Sequence, residues 1–336
     1  MYNSHCWQRG SLRSFVPPFS PSPSLGLSTP LDGEKTEGGK MADPGTKEYP
    51  VVWLQGASCS GCSVSVLNAA SPTIKHLLID EVIPGRHVNL RFHPTIMAGS
   101  GQVALEVLEG VERELRGGYL LVVEGAIPTA EGYCSLGEEG DAPVPILSRV
   151  ESLGRDALAV IALGTCAAFG GIPAAEPNPG KCVGVGEVFS SKGISTSLIN
   201  IPGCPPHPDW FVGTVAAILL DGLPKPEELD EFRRPKAFYG KLIHENCPRR
   251  AYFDEGKFAQ KFGDEGCLYE LGCKGPVTYA DCPLRLWNNG TNWCIGNGAP
   301  CMGCVEPGFP DIVSPLYKKI TDVPIPVIGE CWKEET

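Results

Sequence analysis

ALAVIALGT, residues 157–165, with Cys166 directly behind it, is the stretch from which the fold of this chain is read. An uncharged apolar run this short, closed by glycine, reads as a strand buried on both faces. YLLVVEGAI (119–127) is a second run of the same kind, and the helical pattern ILSRVESLG (146–154) lies between them. Further out, YPVVWLQ (49–55), VNLRFH (88–93) and SLINIPG (197–203) read as strands. SVLNAA (65–70), QVALEVLEGVEREL (102–115) and WFVGTVAAILLDG (210–222) read as helices. Strands alternating with helices imply right-handed crossovers and a doubly wound parallel α/β sheet over residues 49–222.

Cysteines sit where such a sheet places its ligands. Cys59 and Cys62 follow the first strand, Cys166 the run at 157–165, and Cys204 the run at 197–203. In open parallel sheets ligands bind beyond the carboxyl ends of the strands, so these four converge on one site. Gly56, Gly61, Gly164 and Gly203 flank them and let backbone N–H groups approach the sulfurs. The plainer reading of Cys166 and Cys204 is an ordinary buried thiol. GASCSGC is neither a dinucleotide-binding glycine fingerprint nor a phosphate-binding loop. Glu124 ends its strand at the same edge, and is a candidate proton-handling carboxylate or a capped loop residue. Cys134 and Cys182 read as free thiols.

From His244 to Cys304 the composition changes: HENC (244–247), EGCLYELGC (265–273), DC (281–282), NWC (292–294) and CMGC (301–304) lie among Gly, Pro and Asn. A segment with no long apolar period buries little apolar surface, so something else must fix it. Thiolates in fours suit zinc or iron–sulfur clusters. His244, Cys247, Cys267 and Cys273 form a second set, and Cys282, Cys294, Cys301 and Cys304 a third. Three sites close together suit a relay of single electrons better than structural zinc, which remains the alternative as a zinc-bound structural or interaction module.

The chain has 336 residues, 42% hydrophobic and 20% charged, with a net charge of -11. That composition is of an ordinary globular protein and excludes a nucleic-acid surface. No apolar run reaches the roughly 20 residues of a membrane helix. Fifteen cysteines in so large a chain, clustered as CxxC, favour metal over disulfides.

In order along the chain, WLQGASCSGC, VEGAIP, GTCAAFGGIPAA, NIPGCPPHPDW, HENCPRR, ELGCKGP, TYADCP and CMGCVEPGFPD resemble the small subunit of a [NiFe] hydrogenase, over roughly Val51 to Tyr317. RLWNNGTNWC is similar to the [NiFeSe] branch. The resemblance implies a flavodoxin-like sheet domain followed by a Cys-rich, mostly irregular iron–sulfur domain. It implies an electron-transfer subunit for H2 oxidation or proton reduction, in a heterodimer whose large subunit holds the nickel–iron centre. Cys59, Cys62, Cys166 and Cys204 would hold the proximal [4Fe-4S] cluster, and His244, Cys247, Cys267 and Cys273 the distal one. Cys282, Cys301 and Cys304 would hold the medial cluster. Many members carry proline at the position of Cys294 and a [3Fe-4S] medial cluster; here Cys294 implies a third [4Fe-4S], or a [3Fe-4S] if it does not bind. Oxygen-tolerant members add two cysteines, where this chain has Gly61 and Gly171. An electron carrier or further redox subunit would dock near the distal cluster. A subunit of another oxidoreductase complex is the runner-up; one of the complex I type would lack the eight C-terminal ligands.

The expected organisation is a disordered segment 1–48, the sheet domain 49–222, a C-terminal domain 223–317 and a tail 318–336. Met41 is a candidate start codon. Residues 1–48 show no export signal, so the cytoplasm is expected, with the periplasm as alternative if a native N-terminus carries one. Cys6 and Cys331 receive no role.

Overall fold

The computed structural model describes residues 47–70, 72–78, 85–311 and 318–319. The expectations for Met41, Cys6, Cys331 and nearly all of both terminal segments fall outside those residues. Five parallel strands form the central sheet: β1 (Lys47–Gln55), β2 (Arg86–Phe92), β3 (Leu120–Glu124), β4 (Ala159–Leu163) and β5 (Leu198–Ile201). Their spatial order is β2-β1-β3-β4-β5, the flavodoxin-like order. The packed helices include α1 (Gly61–Leu67), α2 (Gln102–Glu114), α3 (Ile146–Asp156), α4 (Thr165–Phe169), α5 (Val185–Lys192) and α6 (Pro208–Asp221).

All five residues of β3 and of β4 are buried; nine of the ten are apolar, and the tenth is Glu124 at the carboxyl end of β3. Alternate side chains serve two cores. Val52, Leu54, Leu121, Val123, Val160 and Ala162 face α2, α3 and α5. Val51, Trp53, Val122, Ile161 and Ile201 face α6. That second core continues through Trp210 and Phe211 into Tyr239, Ile243, Leu268, Trp293, Ile295 and Val305 of the Cys-rich segment. There the described backbone forms short helical turns, such as Ile243–Asn246, Leu268–Leu271 and Cys282–Arg285, and isolated β-bridges such as Phe258 with Cys267.

Register positions the site. Gln55 pairs with Glu124, Glu124 with Leu163, and Leu163 with Ile201, so one row marks the carboxyl edge of the sheet. Cys59, Cys62, Cys166 and Cys204 all lie within a few residues of that row. The order reverses between β1 and β3, and their loops are zipped there: Gly56 N–H donates to Glu124 O at 2.8 Å, and Ala57 N–H to Ala126 O at 2.8 Å.

Candidate metal centres

The first set gathers at the carboxyl edge of the sheet. Ser60 turns into the left-handed region (φ 61°) and starts α1, which brings Cys62 back beside Cys59. Cys166 is the second residue of α4, and Cys204 leaves β5. All three partners act electrostatically on Cys62, so the four sulfurs share one locality. A β-carbon on Gly164 (φ +89°) would stand 2.4 Å from the Cys62 sulfur, so that approach requires glycine. On Gly171 (φ +52°) it would stand 3.0 Å from the Cys166 sulfur, and on Gly61 3.1 Å from that of Cys59. Both positions where oxygen-tolerant relatives were expected to differ therefore abut this set. Burial, with the neighbouring thiols, pushes Cys166 up to about 11. Buried thiols resist charging until a cation supplies the opposite charge.

Glu124 lies fully buried under the Cys59–Cys62 turn. Its Oε1 accepts from Ser58 Oγ, Cys62 N and Ser63 N, each at 3.2 Å. Its Oε2 accepts from Trp53 Nε1 and Gln55 Nε2 at 3.0 Å, and from Ser63 Oγ. Ser63 also reaches His93 Nε2 at 3.3 Å. The sequence reading missed Ser63 and His93; the available signal was a histidine ending VNLRFH at the same sheet edge.

His244, Cys247, Cys267 and Cys273 line one pocket with Arg249, Leu268 and Ile295. Burial, with Arg250, holds the His244 imidazole below its usual range, in the neutral form that ligates metals. In the third set Cys294 and Cys304 act on Cys282, and Cys282 and Cys304 on Cys301. Cys294 stands within reach of Cys282 and Cys304, although it is an exposed member.

One backbone pattern recurs. The N–H of residue i+2 points at the sulfur of residue i for Cys247, Cys267, Cys273 and Cys301. The Gly303 N–H lies 3.4 Å from the Cys301 sulfur. Such donors stabilise sulfur charge and help set cluster potentials. The sets also touch. The Cys204 N–H is directed at the Cys304 sulfur, and Cys301 N–H at that of Cys273, at 3.4 Å. Thr165 takes the Gly203 N–H at 2.9 Å and donates to Cys304 O. The first set therefore adjoins the third, and the third adjoins the second. Every described cysteine is free of a disulfide. Cys182 acts electrostatically on Cys134, and neither joins a set.

The donor chemistry fits iron–sulfur clusters. Among the described residues, no three His, Cys, Asp or Glu side chains close tightly enough to hold one metal ion.

Comparison with known proteins separates the two parts. Residues 239–317 match the family model for the C-terminal part of the NiFe/NiFeSe hydrogenase small subunit, and residues 59–218 match "NADH ubiquinone oxidoreductase, 20 Kd subunit". The periplasmic [NiFeSe] hydrogenase small subunit of Desulfomicrobium baculatum is 49% identical over 284 residues, covering 81% of this chain and 88% of its own. The periplasmic [NiFe] hydrogenase small subunit of Solidesulfovibrio fructosivorans is 43% identical, covering 83% and 85%. The crystal structure of the reduced, active Ni-Fe-Se hydrogenase from Desulfomicrobium baculatum superposes with a TM-score of 0.76 at 47% identity, covering 81% of this chain and all of that one. Both named relatives are periplasmic, which overturns the expected cytoplasmic location. Compartment is set by a removable address rather than by packed residues, so the folded part gives no sign of it. The chain belongs to the small-subunit family of the NiFe and NiFeSe hydrogenases, as their electron-transfer subunit.

Proposed function

We propose that this chain carries three [4Fe-4S] clusters and relays electrons of H2 oxidation or proton reduction through them. Cys59, Cys62, Cys166 and Cys204 hold the proximal cluster, Cys282, Cys294, Cys301 and Cys304 the medial one, and His244, Cys247, Cys267 and Cys273 the distal one. When bound, such clusters take up and release single electrons. The carrying observation is the ordered contact of the three sets through Cys204 to Cys304 and through Cys301 to Cys273. The chain's own part is to fix the donors, bury the sulfurs and point backbone N–H groups at them. Neutral His244 in place of a fourth thiolate leaves the distal site less negative, which suits an exit. On this reading residues 49–222 hold the proximal site and 223–317 the other two.

The partner is a large subunit that brings the nickel–iron centre to the sheet edge. Exposed Cys59, with Val64 at 57%, Leu67 at 52% and Ile172 at 55% exposure, supports docking at that edge. A separate redox partner takes the electrons near His244, and the working compartment is the periplasm, as for the named relatives.

Low-temperature EPR of the purified two-subunit enzyme, oxidised and then reduced stepwise, tests the relay alongside a Cys294→Pro variant. The oxidised wild type is expected to lack a [3Fe-4S] signal and the variant to gain one. A three-iron signal already in the wild type would remove Cys294 from the medial set, and protein without iron would end the relay reading altogether.

A further inference from the structure

Lys274 follows Cys273 in ELGCKGP and is 1% exposed. Its Nζ donates to Gly272 O at 2.9 Å and to Lys318 O. Both acceptors are neutral carbonyls, and no described carboxylate is bonded to it. Its backbone N–H donates to Cys301 O at 2.8 Å, while Cys301 N–H lies 3.4 Å from the Cys273 sulfur. Lys274 thus occupies the joint between the medial and distal sets, one residue from Cys273 and bonded through its backbone to Cys301.

A buried ammonium with only neutral partners is strongly disfavoured unless an anion stands near. The anions on offer are the sulfur ligands on either side. We propose that Lys274 is the buried counter-cation of the medial and distal sites, and that its charge raises the reduction potential of both. This rests on the three-cluster reading above. Net charge near a cluster is one of the levers on its potential, and a compact ammonium is a point charge suited to that use. Placed between two sites, it stabilises the added electron on either side and so raises both potentials. A purely structural lysine would instead serve only to tie the Gly272 and Lys318 carbonyls together.

The test is an EPR-monitored redox titration of the two-subunit enzyme with Lys274→Met, Lys274→Gln and Lys274→Arg. Glutamine retains an amide donor for the carbonyls without the charge, methionine keeps the bulk, and arginine keeps the charge. Methionine and glutamine are expected to disfavour reduction of both sites about tenfold, which is 59 mV for one electron. Arginine is expected to hold the wild-type values, and the proximal site is expected to move least. Potentials unchanged in methionine and glutamine variants with intact signals would overturn the proposal. So would an equal fall in all three variants, which would mark a packing role. If methionine and glutamine variants lose these clusters, retention by the arginine variant supports the charge and loss there overturns it. A wild type lacking medial and distal signals would sink the cluster reading instead, a distinguishable failure.

Discussion

Glu124 receives six hydrogen bonds, three at each oxygen. Four of those donors belong to the loop and first turn that carry Cys59 and Cys62, so this carboxylate shapes the first cysteine set from below. Glu124→Gln would turn an amide NH2 toward groups that themselves donate. Each buried polar group left unmatched costs about 1–3 kcal/mol. The variant is expected to melt several degrees lower and to alter the proximal EPR signal, with the medial and distal signals unmoved. Unchanged melting and spectra would show the carboxylate to be dispensable. The sequence located Glu124 at the sheet edge because strand ends are legible from the apolar run. It did not show the donors, since Ser58 and Ser63 look like loop filler until the turn folds onto β3.

The junction of β4 and α4 has the same character one level up. Gly164 makes room for the Cys62 sulfur, and Thr165 joins the β5 loop to the CMGC loop. Gly164→Ala is expected to exclude the proposed proximal cluster, because the new methyl would collide with the Cys62 sulfur and φ +89° is strained for alanine. Iron content and the proximal EPR signal read this directly; a full complement of iron would refute it. Thr165→Val keeps the shape and strips the hydroxyl from Gly203 N–H and Cys304 O. A loss of about 1–3 kcal/mol in stability is expected, measured by denaturant unfolding of the isolated subunit or the complex. The strands were legible because burial on both faces leaves an apolar run. The ribbon of Ser135–Glu139 with Ala142–Pro145 was not, because its residues are mostly exposed and show no alternation. The single turns of the Cys-rich segment left no periodic signal either, since they are too short to have one.

At the scale of the whole molecule, one apolar core runs from Val51 and Trp53 through Trp210 to Tyr239, Ile243 and Trp293. Trp210 also donates from Nε1 to Asp281 at 2.7 Å, and Asp281 takes Arg285 in a paired hydrogen bond. The sequence reading divided the chain near residue 222 by composition. Composition reports where regular elements stop and carries no record of side chains that pack across the division. The compartment was illegible for a related reason: no packing interaction depends on it. The shared core bears on what holds the Cys-rich segment in place. Tyr239, Ile243, Leu268 and Trp293 are anchored by apolar burial, whereas on the proposed reading the rest of the loops at 255–273 and 282–304 is held by metal ligands. Metal that binds only the folded form contributes its binding energy to folding. Chelating the iron under reducing conditions is therefore expected to raise amide exchange in those two loops by at least about tenfold, the change that accompanies roughly 1.4 kcal/mol of lost local stability. Strands β3 and β4 should keep their protection, because they are buried mainly by the apolar side chains of α2, α3, α5 and α6. Equal loss of protection across sheet and loops would mean that the clusters hold up the whole chain. Retained protection in the loops would mean that the apolar core alone is sufficient.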